Sequence, residues 1–250
     1  MVEIAIVLVV IGLLLGGILK GQELINNAKV RAIADRHRSL KVAWFAFIDR
    51  YQALPGDYVF AAQYIPGAMN GDGDGITVLP EVPRVFQHLT GAGYLRCPQC
   101  TESAISPPTA YNSLLNTYGG IMAIFNNGYF ANPPPPGAIP TFAYAGRFSN
   151  LEKPLMVHSG RRIPSNIAAE VDLKIDDGIA NMGEVRFNSL AFDVDGSQLS
   201  SQNGGVSYGC VTKSRDKQIN GIRHSEAGVP LFYRHASEPP IADCGISSFI

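Results

Sequence analysis

The feature that most constrains this chain is the apolar run from Ile4 to Leu19, IAIVLVVIGLLLGGIL, which a single acid, Glu3, precedes. A helix needs about 20 apolar residues to span a bilayer, and about 18 mark a candidate, so the run is long enough once Met1 and Val2 are added. A cleaved signal peptide needs basic residues before the run and a small-residue cleavage site after it. An acid stands before this run and Lys20 follows it, so the sequence indicates a retained membrane segment.

The helical pattern continues well beyond the apolar run. Apolar residues recur at spacings of three, four and seven from Leu24 to Ile48, which predicts an amphipathic helix that continues to about Tyr51. The sequence LPGD at 54–57 then favours a turn, because proline restricts the residue before it. A helix of about 50 residues is roughly 75 Å long, and a bilayer needs less than half of that length. The second half is therefore expected to pack on the rest of the protein.

Beyond residue 54 proline, glycine and aromatic residues become frequent, which predicts a globular head over residues 54–250 after an N-terminal helical part over residues 1–53. Helices are expected at 82–92 and at Ser113–Asn116. Strand-like runs lie at 120–125, 141–145, 155–158, 185–190 and 205–211. Four prolines at 133–136 predict an exposed, extended loop. The predicted fold class is α+β, with the long N-terminal helix packed on a small antiparallel-sheet head that has long loops.

Four cysteines, Cys97, Cys100, Cys210 and Cys244, follow the helix. An even number of cysteines in a chain that leaves the cytoplasm predicts disulfides, and the sequence alone allows three pairings. We expect nearest neighbours to pair, Cys97 with Cys100 and Cys210 with Cys244. The C-x-x-C spacing is also that of a redox pair or half of a zinc site. A redox role needs a βαβ context, which we do not find, and zinc would need the other two cysteines or histidines.

A loop rich in glycine and aspartate is the strongest candidate for a metal site. The residues NGDGDGI at 70–76, followed by Glu81, fit the calcium-loop pattern D-x-[DN]-x-[DN]-G-x5-E except for asparagine in the first position. On this pattern the ligands are Asn70, Asp72, Asp74, the carbonyl of Ile76, and Glu81. Alternating oxygen ligands with glycines between them suit calcium, which takes six to eight oxygens. A solvated Gly/Asp turn is the alternative interpretation.

Two details of the sequence weaken or extend the calcium interpretation. The sequence LPEVP at 79–83 is a poor start for the second helix of an EF-hand, which argues against Glu81 reaching the ion. Asp176-Asp177-Gly178 is a weaker acidic candidate and is equally typical of a plain turn.

Charge and motif content argue against two broad classes of function. The net charge of −1 gives no basis for nucleic-acid binding, which depends on a clustered basic excess. Seven basic residues and three acids are spread around the helix from Lys20 to Arg50, as on a solvated face or, alternatively, a surface that binds phospholipids or acidic groups. The sequence contains no nucleophile elbow and no phosphate-binding glycine motif, and its His-Ser neighbours at 158–159 and 224–225 do not make a triad, so an enzyme is not predicted.

The N-terminal sequence VEIAIVLVVIGLLLGGILKGQELINNAKV resembles the N-terminal helix of bacterial type IV pilins and type II secretion pseudopilins. LPGDY at 54–58, NGDGDGI at 70–76, QHLTGAGYL at 87–95 and IDDGIANMGEV at 175–185 resemble segments of a prepilin-type subfamily with the same helix. In the family the glutamate is the fifth mature residue and here it is Glu3, so the leader and the first two mature residues are expected to be missing. Many pilins also carry a proline where the helix leaves the membrane, and this chain has none there.

The resemblance implies a subunit of a helical filament that resides in the inner membrane before assembly and afterwards in an extracellular pilus or in the periplasm. It implies identical subunits and the pilus or secretion assembly machinery as partners. Glu3 would neutralise the N-terminal amine of an adjacent subunit; the alternative is that its side chain only extends to the lipid headgroups. Cys210 and Cys244 would close the C-terminal disulfide loop of many pilins. The head would form the filament surface, and if the loop at 70–76 binds calcium, as its pattern indicates, the ion would stabilise the head. The alternatives are a single-span, membrane-anchored, calcium-dependent adhesin that does not polymerise, and a minor pseudopilin of a secretion system.

Overall fold

The computed structural model of the chain describes residues 2–78, 81–98, 100, 108–126, 155–178, 183–188, 211–213, 217–219, 222–224, 231–233 and 244–250. These residues have the α+β fold that the sequence predicts, with a long N-terminal helix followed by a small antiparallel sheet. The helices are α1 (Val2–Tyr51), α2 (Ala61–Tyr64), α3 (Val82–Gly91) and α4 (Ser165–Ile175). The strands are β1 (Ala123–Asn126), β2 (Leu155–His158), β3 (Val185–Asn188), β4 (Val211–Lys213), β5 (Lys217–Ile219), β6 (Ile222–His224), β7 (Leu231–Tyr233) and β8 (Gly245–Phe249).

The largest sheet in the described part of the chain has four antiparallel strands in the order β1-β2-β8-β3. In its register Ala123 of β1 lies opposite His158 of β2, which in turn lies opposite Ser247 of β8. On the other side of β8, Ser248 lies opposite Val185 of β3. The strands β4 and β7 form a separate antiparallel pair, as do β5 and β6. The centre of the main sheet is therefore built by strands that are far apart in sequence.

The long helix ends where the sequence predicts, at Tyr51. Gln52 adopts a left-handed conformation with φ 50°, and its backbone N–H donates to the carbonyl of Ile48 at 2.9 Å. Its side-chain Nε2 donates to the carbonyl of Asp49 at 2.8 Å. The last turn of a helix leaves carbonyls without intrahelical donors, and Gln52 supplies donors for two of them.

The two halves of α1 lie in different surroundings, and we call them the apolar half (Val2–Ala28) and the packed half (Val30–Tyr51). Every residue of the apolar half except Gly21 is exposed. An 18-residue window there has a mean hydropathy of 2.8 and is 0% buried, so the helix is long and apolar enough to cross a membrane, as an anchor or a signal sequence does. In the packed half the buried residues recur at helical spacing: Val30, Ile33, Ala34, His37, Leu40, Ala43, Trp44 and Phe47.

Two hydrophobic clusters bury the packed half against the head. The larger cluster packs Leu40, Trp44 and Phe47 of α1 against residues of α3, β1 and β2. The smaller cluster packs Val30 and Ile33 against α4, β3 and β8. Each large apolar side chain that is fully buried contributes about 1.5 to 3 kcal/mol, so this contact is a main source of the head's stability. The prediction that the second half of the helix packs on the head is confirmed.

Most of the predicted elements in the described residues are present with small changes in their bounds. The helix expected at 82–92 is α3, the strand expected at 155–158 is β2, and those expected at 120–125 and 185–190 correspond to β1 and β3. The runs at 133–136 and 141–145 lie outside the described residues, and of the run at 205–211 only residue 211 is described, in β4. The sequence analysis did not find α4 or β8.

The helix expected at Ser113–Asn116 is wrong. Leu115 instead forms an antiparallel bridge with Ile121. The side-chain Oδ1 of Asn116 accepts the backbone N–H groups of Tyr118 at 2.7 Å and of Gly120 at 3.0 Å. An asparagine side chain that binds nearby backbone donors stabilises a turn at the expense of a helix, which explains the difference.

Candidate functional site

The predicted assembly residue, Glu3, lies in the first turn of α1 with its side chain exposed. A carboxylate at this end of a helix interacts favourably with the helix dipole. The first buried residue of α1 is Val30, so Glu3 stands at the far end of the apolar half from the head. Its proposed role in assembly remains a prediction.

The glycine-aspartate loop (Asn70–Ile76) folds around Asp57, which follows the turn at the end of α1. One carboxylate oxygen of Asp57, Oδ1, accepts the backbone N–H groups of Gly73 and, at 3.0 Å, Asp74. The other oxygen, Oδ2, accepts the N–H of Gly75 at 2.9 Å. Gly71 passes so close to the backbone of Asp57 that a Cβ at this position would clash with it. The loop is therefore held against the chain that leaves α1, and glycine at 71 is needed for that approach.

Three carboxylates converge beside this loop: one oxygen each from Asp57, Asp72 and Glu81 lies within 4.8 Å of the others. Asp72 is exposed, whereas Asp57 and Glu81 are buried. The Oε2 atom of Glu81 accepts the N–H of Val78 at 3.1 Å. Its Oε1 atom is buried without a hydrogen-bond donor and lies 3.7 Å from Nη1 of Arg84.

The environment of this carboxylate group disfavours its charged form. Burial raises the pKa of Glu81 to about 7, and the nearby carboxylates of Asp72 and Asp57 raise it as well, against the opposing effects of the Val78 N–H and Arg84. Burial also raises the pKa of Asp57, and a hydrogen bond with the Asp72 carboxyl raises it as well. The backbone N–H groups of residues 73–75, which donate to the Asp57 carboxylate, lower this pKa and partly oppose the increase. The repulsion between like charges at such short distances is reduced when one carboxylate binds a proton or when the group binds a cation.

Of the three carboxylates among the predicted calcium ligands, the structure brings together two, Asp72 and Glu81. Asp74 lies outside this group, and its Oδ1 accepts the N–H of Ile76 at 2.9 Å. Oδ1 of Asn70 accepts the N–H of Ala62 at 2.8 Å, and its role as a ligand stays a prediction. The predicted role of the Ile76 carbonyl is not tested by these contacts. Asp57, which the linear pattern does not include, is the third member of the group.

A second acidic group lies at the end of α4, where Asp172, Asp176 and Asp177 each place an oxygen within 4.8 Å of the others. Asp176 Oδ2 accepts the backbone N–H groups of Glu184 and, at 3.1 Å, Val185. Asp172 Oδ1 accepts the N–H of Gly178 at 3.2 Å. The Asp176 bonds connect the end of α4 to the start of β3, and the Asp172 bond stabilises the turn that follows α4, so both residues have a structural role.

Cys97 and Cys100 form a disulfide, as predicted, with 5.3 Å between their Cα atoms. Cys97 is buried in the larger hydrophobic cluster, and the N–H of Cys100 donates to its carbonyl at 3.0 Å. Cys244 is also disulfide-bonded, and its predicted partner, Cys210, lies outside the described residues. Sequence reasoning left zinc and redox roles open for the C-x-x-C pair, and as a disulfide the pair provides no thiolates for zinc.

Two buried histidines lie where α1 meets the main sheet. Nδ1 of His37 is 2.8 Å from Oγ of Ser248, and Nδ1 of His158 is 2.7 Å from Oγ of Ser247. Burial lowers the pKa of both histidines to about 3, with Lys41 adding to the effect at His37 and His37 adding to it at His158. Both side chains are therefore neutral at neutral pH, and the described contacts give them a structural role.

The long apolar N-terminal helix followed by a small antiparallel sheet is compatible with a pilin-like architecture. Comparison of the chain with protein-family models, with curated proteins and with solved structures gives no match.

Proposed function

We propose that this protein is a structural subunit of a type IV pilus-like helical filament. The observation that carries the proposal is that one unbroken helix has a packed half in the head's core and an apolar half that the head leaves uncovered. The apolar half serves as a membrane segment before assembly and as a filament-core helix afterwards.

The size of the uncovered surface supports this function. Soluble monomers rarely expose contiguous apolar patches of more than a few hundred Å². Here the large apolar side chains from Val2 to Ile25 are each about half exposed or more. Such a surface needs lipid or other protein around it, and a bundle of identical helices provides the second.

The continuity of α1 explains why association would produce a filament. The apolar half extends from a helix whose packed half is fixed in the head, so every subunit presents it in the same direction. A contact that repeats head to tail without closing into a ring generates an open helical assembly. The head then lies outside the helix bundle and forms the filament surface.

Glu3 gives this assembly a specific contact. It is the only ionisable side chain between Val2 and Leu19, and a charged residue within an apolar span is unfavourable unless it has a partner. The N-terminal amine of a neighbouring subunit is the partner that the resemblance to pilins implies. A single-span anchored adhesin would have no use for this acid, which makes Glu3 the residue that separates the two functions.

The test compares Glu3→Gln with the matched variant Glu23→Gln, which removes an exposed acid from the same helix just beyond the apolar run. We expect wild type and Glu23→Gln to give filaments in the sheared cell-surface fraction, and Glu3→Gln to lower the yield at least about tenfold while its membrane level is unchanged. Electron microscopy and mass spectrometry of the pelleted fraction measure the yield. Equal filament yields from the two variants would contradict the role of Glu3, and wild-type protein found only in the membrane would favour the anchored adhesin.

A further inference from the structure

The carboxylate group beside the glycine-aspartate loop can do more than hold the loop in place. We infer that Asp57, Asp72 and Glu81 form a calcium site that fastens this loop to the end of α1 and the start of α3. The site belongs to the head and is independent of the proposed filament function.

The spacing of the three carboxylates suits calcium. Calcium lies about 2.3 to 2.6 Å from its oxygen ligands, so two ligands on opposite sides of the ion are about 4.6 to 5.2 Å apart. One oxygen from each carboxylate lies within 4.8 Å of the other two. Oxygens this close to one another are within the separation that the ligands of one calcium ion span.

Glu81 provides the observation that points to a ligand. The residue is only 2% exposed, and its Oε1 atom is buried without a hydrogen-bond donor. Leaving a buried carboxylate oxygen without a partner is unfavourable, so native structures normally satisfy such an atom. The nearest cation, Nη1 of Arg84, is 3.7 Å from this oxygen, which is too far for a hydrogen bond.

The charge balance indicates a divalent ion. When all three carboxylates are ionised they face one guanidinium, that of Arg84, and carry a surplus of two negative charges, which a divalent ion would neutralise. Oxygen-only ligands favour calcium or magnesium over zinc and copper, which prefer nitrogen or sulfur. Magnesium requires a near-ideal octahedron at about 2.0 to 2.1 Å, whereas calcium accepts irregular geometry. The exposed side of the site at Asp72 gives access to water ligands that complete the coordination.

This site differs from the one that the linear calcium-loop pattern predicts. In the linear pattern Asp74 is a ligand and Asp57 is not. In the structure Asp74 Oδ1 accepts the N–H of Ile76, and Asp57 belongs to the carboxylate group. The two ligand sets therefore make different predictions for variants of Asp74.

Asp72 and Asp74 form a matched pair for the test. Both are exposed aspartates of the same loop, and each accepts the backbone N–H two residues later, at 3.3 Å and 2.9 Å respectively. Changing either to asparagine removes one charge and keeps the side-chain size. Only Asp72 belongs to the proposed site.

The experiment is calcium titration calorimetry on the full chain in detergent, after treatment with a chelator. We expect wild type to bind one calcium with a Kd of about 0.1 to 1 mM, as extracellular calcium modules do. Asp72→Asn should weaken binding at least about tenfold, and Asp74→Asn less than about threefold. A wild-type protein that binds no calcium up to about 5 mM would overturn the proposal, as would an Asp74→Asn variant that is weakened as much as Asp72→Asn.

Glu81→Gln provides a second measurement that does not depend on heats of binding. Saturating calcium should raise the thermal unfolding midpoint of wild type by about 2 to 8 °C, because the ion binds only the folded head. The same addition should leave the midpoint of Glu81→Gln unchanged, and circular dichroism establishes that this variant is folded. An equal calcium-induced shift in Glu81→Gln and wild type would show that the ion binds elsewhere.

Discussion

The two halves of α1 have the same backbone geometry and are stabilised in different ways. In the packed half a stripe of buried side chains at helical spacing is covered by the head. In the apolar half the run Ile4–Leu19 is hydrophobic on all sides, and the head covers none of the 18-residue apolar window. A helix that is apolar all round needs an apolar environment, and an amphipathic helix needs only one partner surface. In the described residues the head therefore packs without covering the apolar window, and the proposed exchange of lipid for protein would leave the contacts of the packed half unchanged.

The largest effect that tests this comparison is the loss of a core side chain. Phe47 is fully buried in the packed half, and Phe47→Ala should lower the free energy of unfolding by about 3 to 5 kcal/mol. Leu14 is 61% exposed in the apolar half, and Leu14→Ala should change it by less than about 0.5 kcal/mol in detergent.

Unfolding of the full chain by urea measures both values, with the fluorescence of the single tryptophan as the reporter. Trp44 is 1% exposed and lies in the larger hydrophobic cluster, so its emission follows the unfolding of the head. Comparable losses for Phe47→Ala and Leu14→Ala would mean that the two halves are not independent.

A smaller effect concerns pH and is confined to the packed half. Because the pKa of His37 falls from 6.5 to about 3 on folding, the unfolded chain binds a proton there first as the pH drops. The contribution of His37 to the free energy of unfolding is therefore fully present above pH 6.5. It falls between pH 6.5 and about pH 3, by up to about 1.4 kcal/mol per pH unit.

In the variant His37→Gln the free energy of unfolding should fall less steeply with decreasing pH, by up to about 1.4 kcal/mol per pH unit. The stability of the variant relative to wild type should therefore improve as the pH falls. Urea unfolding at pH 7.5, 5.5 and 4.5 measures the two slopes, and the difference between them removes the contribution of the other titrating groups. If the two slopes are the same over this range, His37 titrates normally in the folded protein and is not buried as described.

The smallest effect compares two lysine ion pairs on the same helix. Lys20 pairs with Glu23 at 2.7 Å in the apolar half, where both side chains are more than half exposed. Lys41 pairs with Glu184 of the head, and only 20% of the lysine side chain is exposed. Exposed ion pairs contribute about 0 to 1 kcal/mol, and pairs one turn apart on a helix stay below about 0.5 kcal/mol. Lys20→Gln should therefore be nearly neutral, and Lys41→Gln, which removes a largely buried lysine, should cost about 0.5 to 1 kcal/mol. A greater loss for Lys20→Gln in urea unfolding would reverse the proposed order.

Local sequence patterns were sufficient to predict α1 and its end. The apolar run, the stripe that follows it and the turn after Tyr51 all depend on residues that are close in sequence. The C-x-x-C disulfide is likewise local, because its cysteines are three residues apart. Prediction succeeded where neighbours in sequence determine the structure.

Elements that depend on distant residues were missed. The strand β8 has the sequence GISSF, and its two serines look like solvent-facing residues. Both serines are buried, and their hydroxyl groups lie within hydrogen-bond distance of histidines from distant elements, Ser248 of His37 and Ser247 of His158. The helix α4 follows Pro164 and has only a short apolar stripe, of Ile167, Ala168 and Val171.

The candidate cation site shows the same limit. The linear motif identified Asp72 and Glu81, which are in the group, because they are near each other in sequence. Asp57 could not be found by spacing, since its place in the group depends on how the chain turns after α1. An aspartate that directly follows a Pro-Gly turn was the available signal, and it predicts an acceptor for backbone N–H groups more than it predicts a metal ligand.

Because β8 lies in the centre of the main sheet and near the end of the chain, the two halves of α1 can reach their final surroundings at different times during synthesis. The bond between His37 and Ser248 joins residues 211 positions apart, so the packed half of α1 cannot be fully covered until nearly all of the described chain has been made. Protein synthesis proceeds from the N-terminus, and the apolar half needs none of those later residues. The apolar half is therefore fully synthesised while the head is still an unfinished polypeptide, and the time between the two events is set by the length of chain that separates α1 from β8.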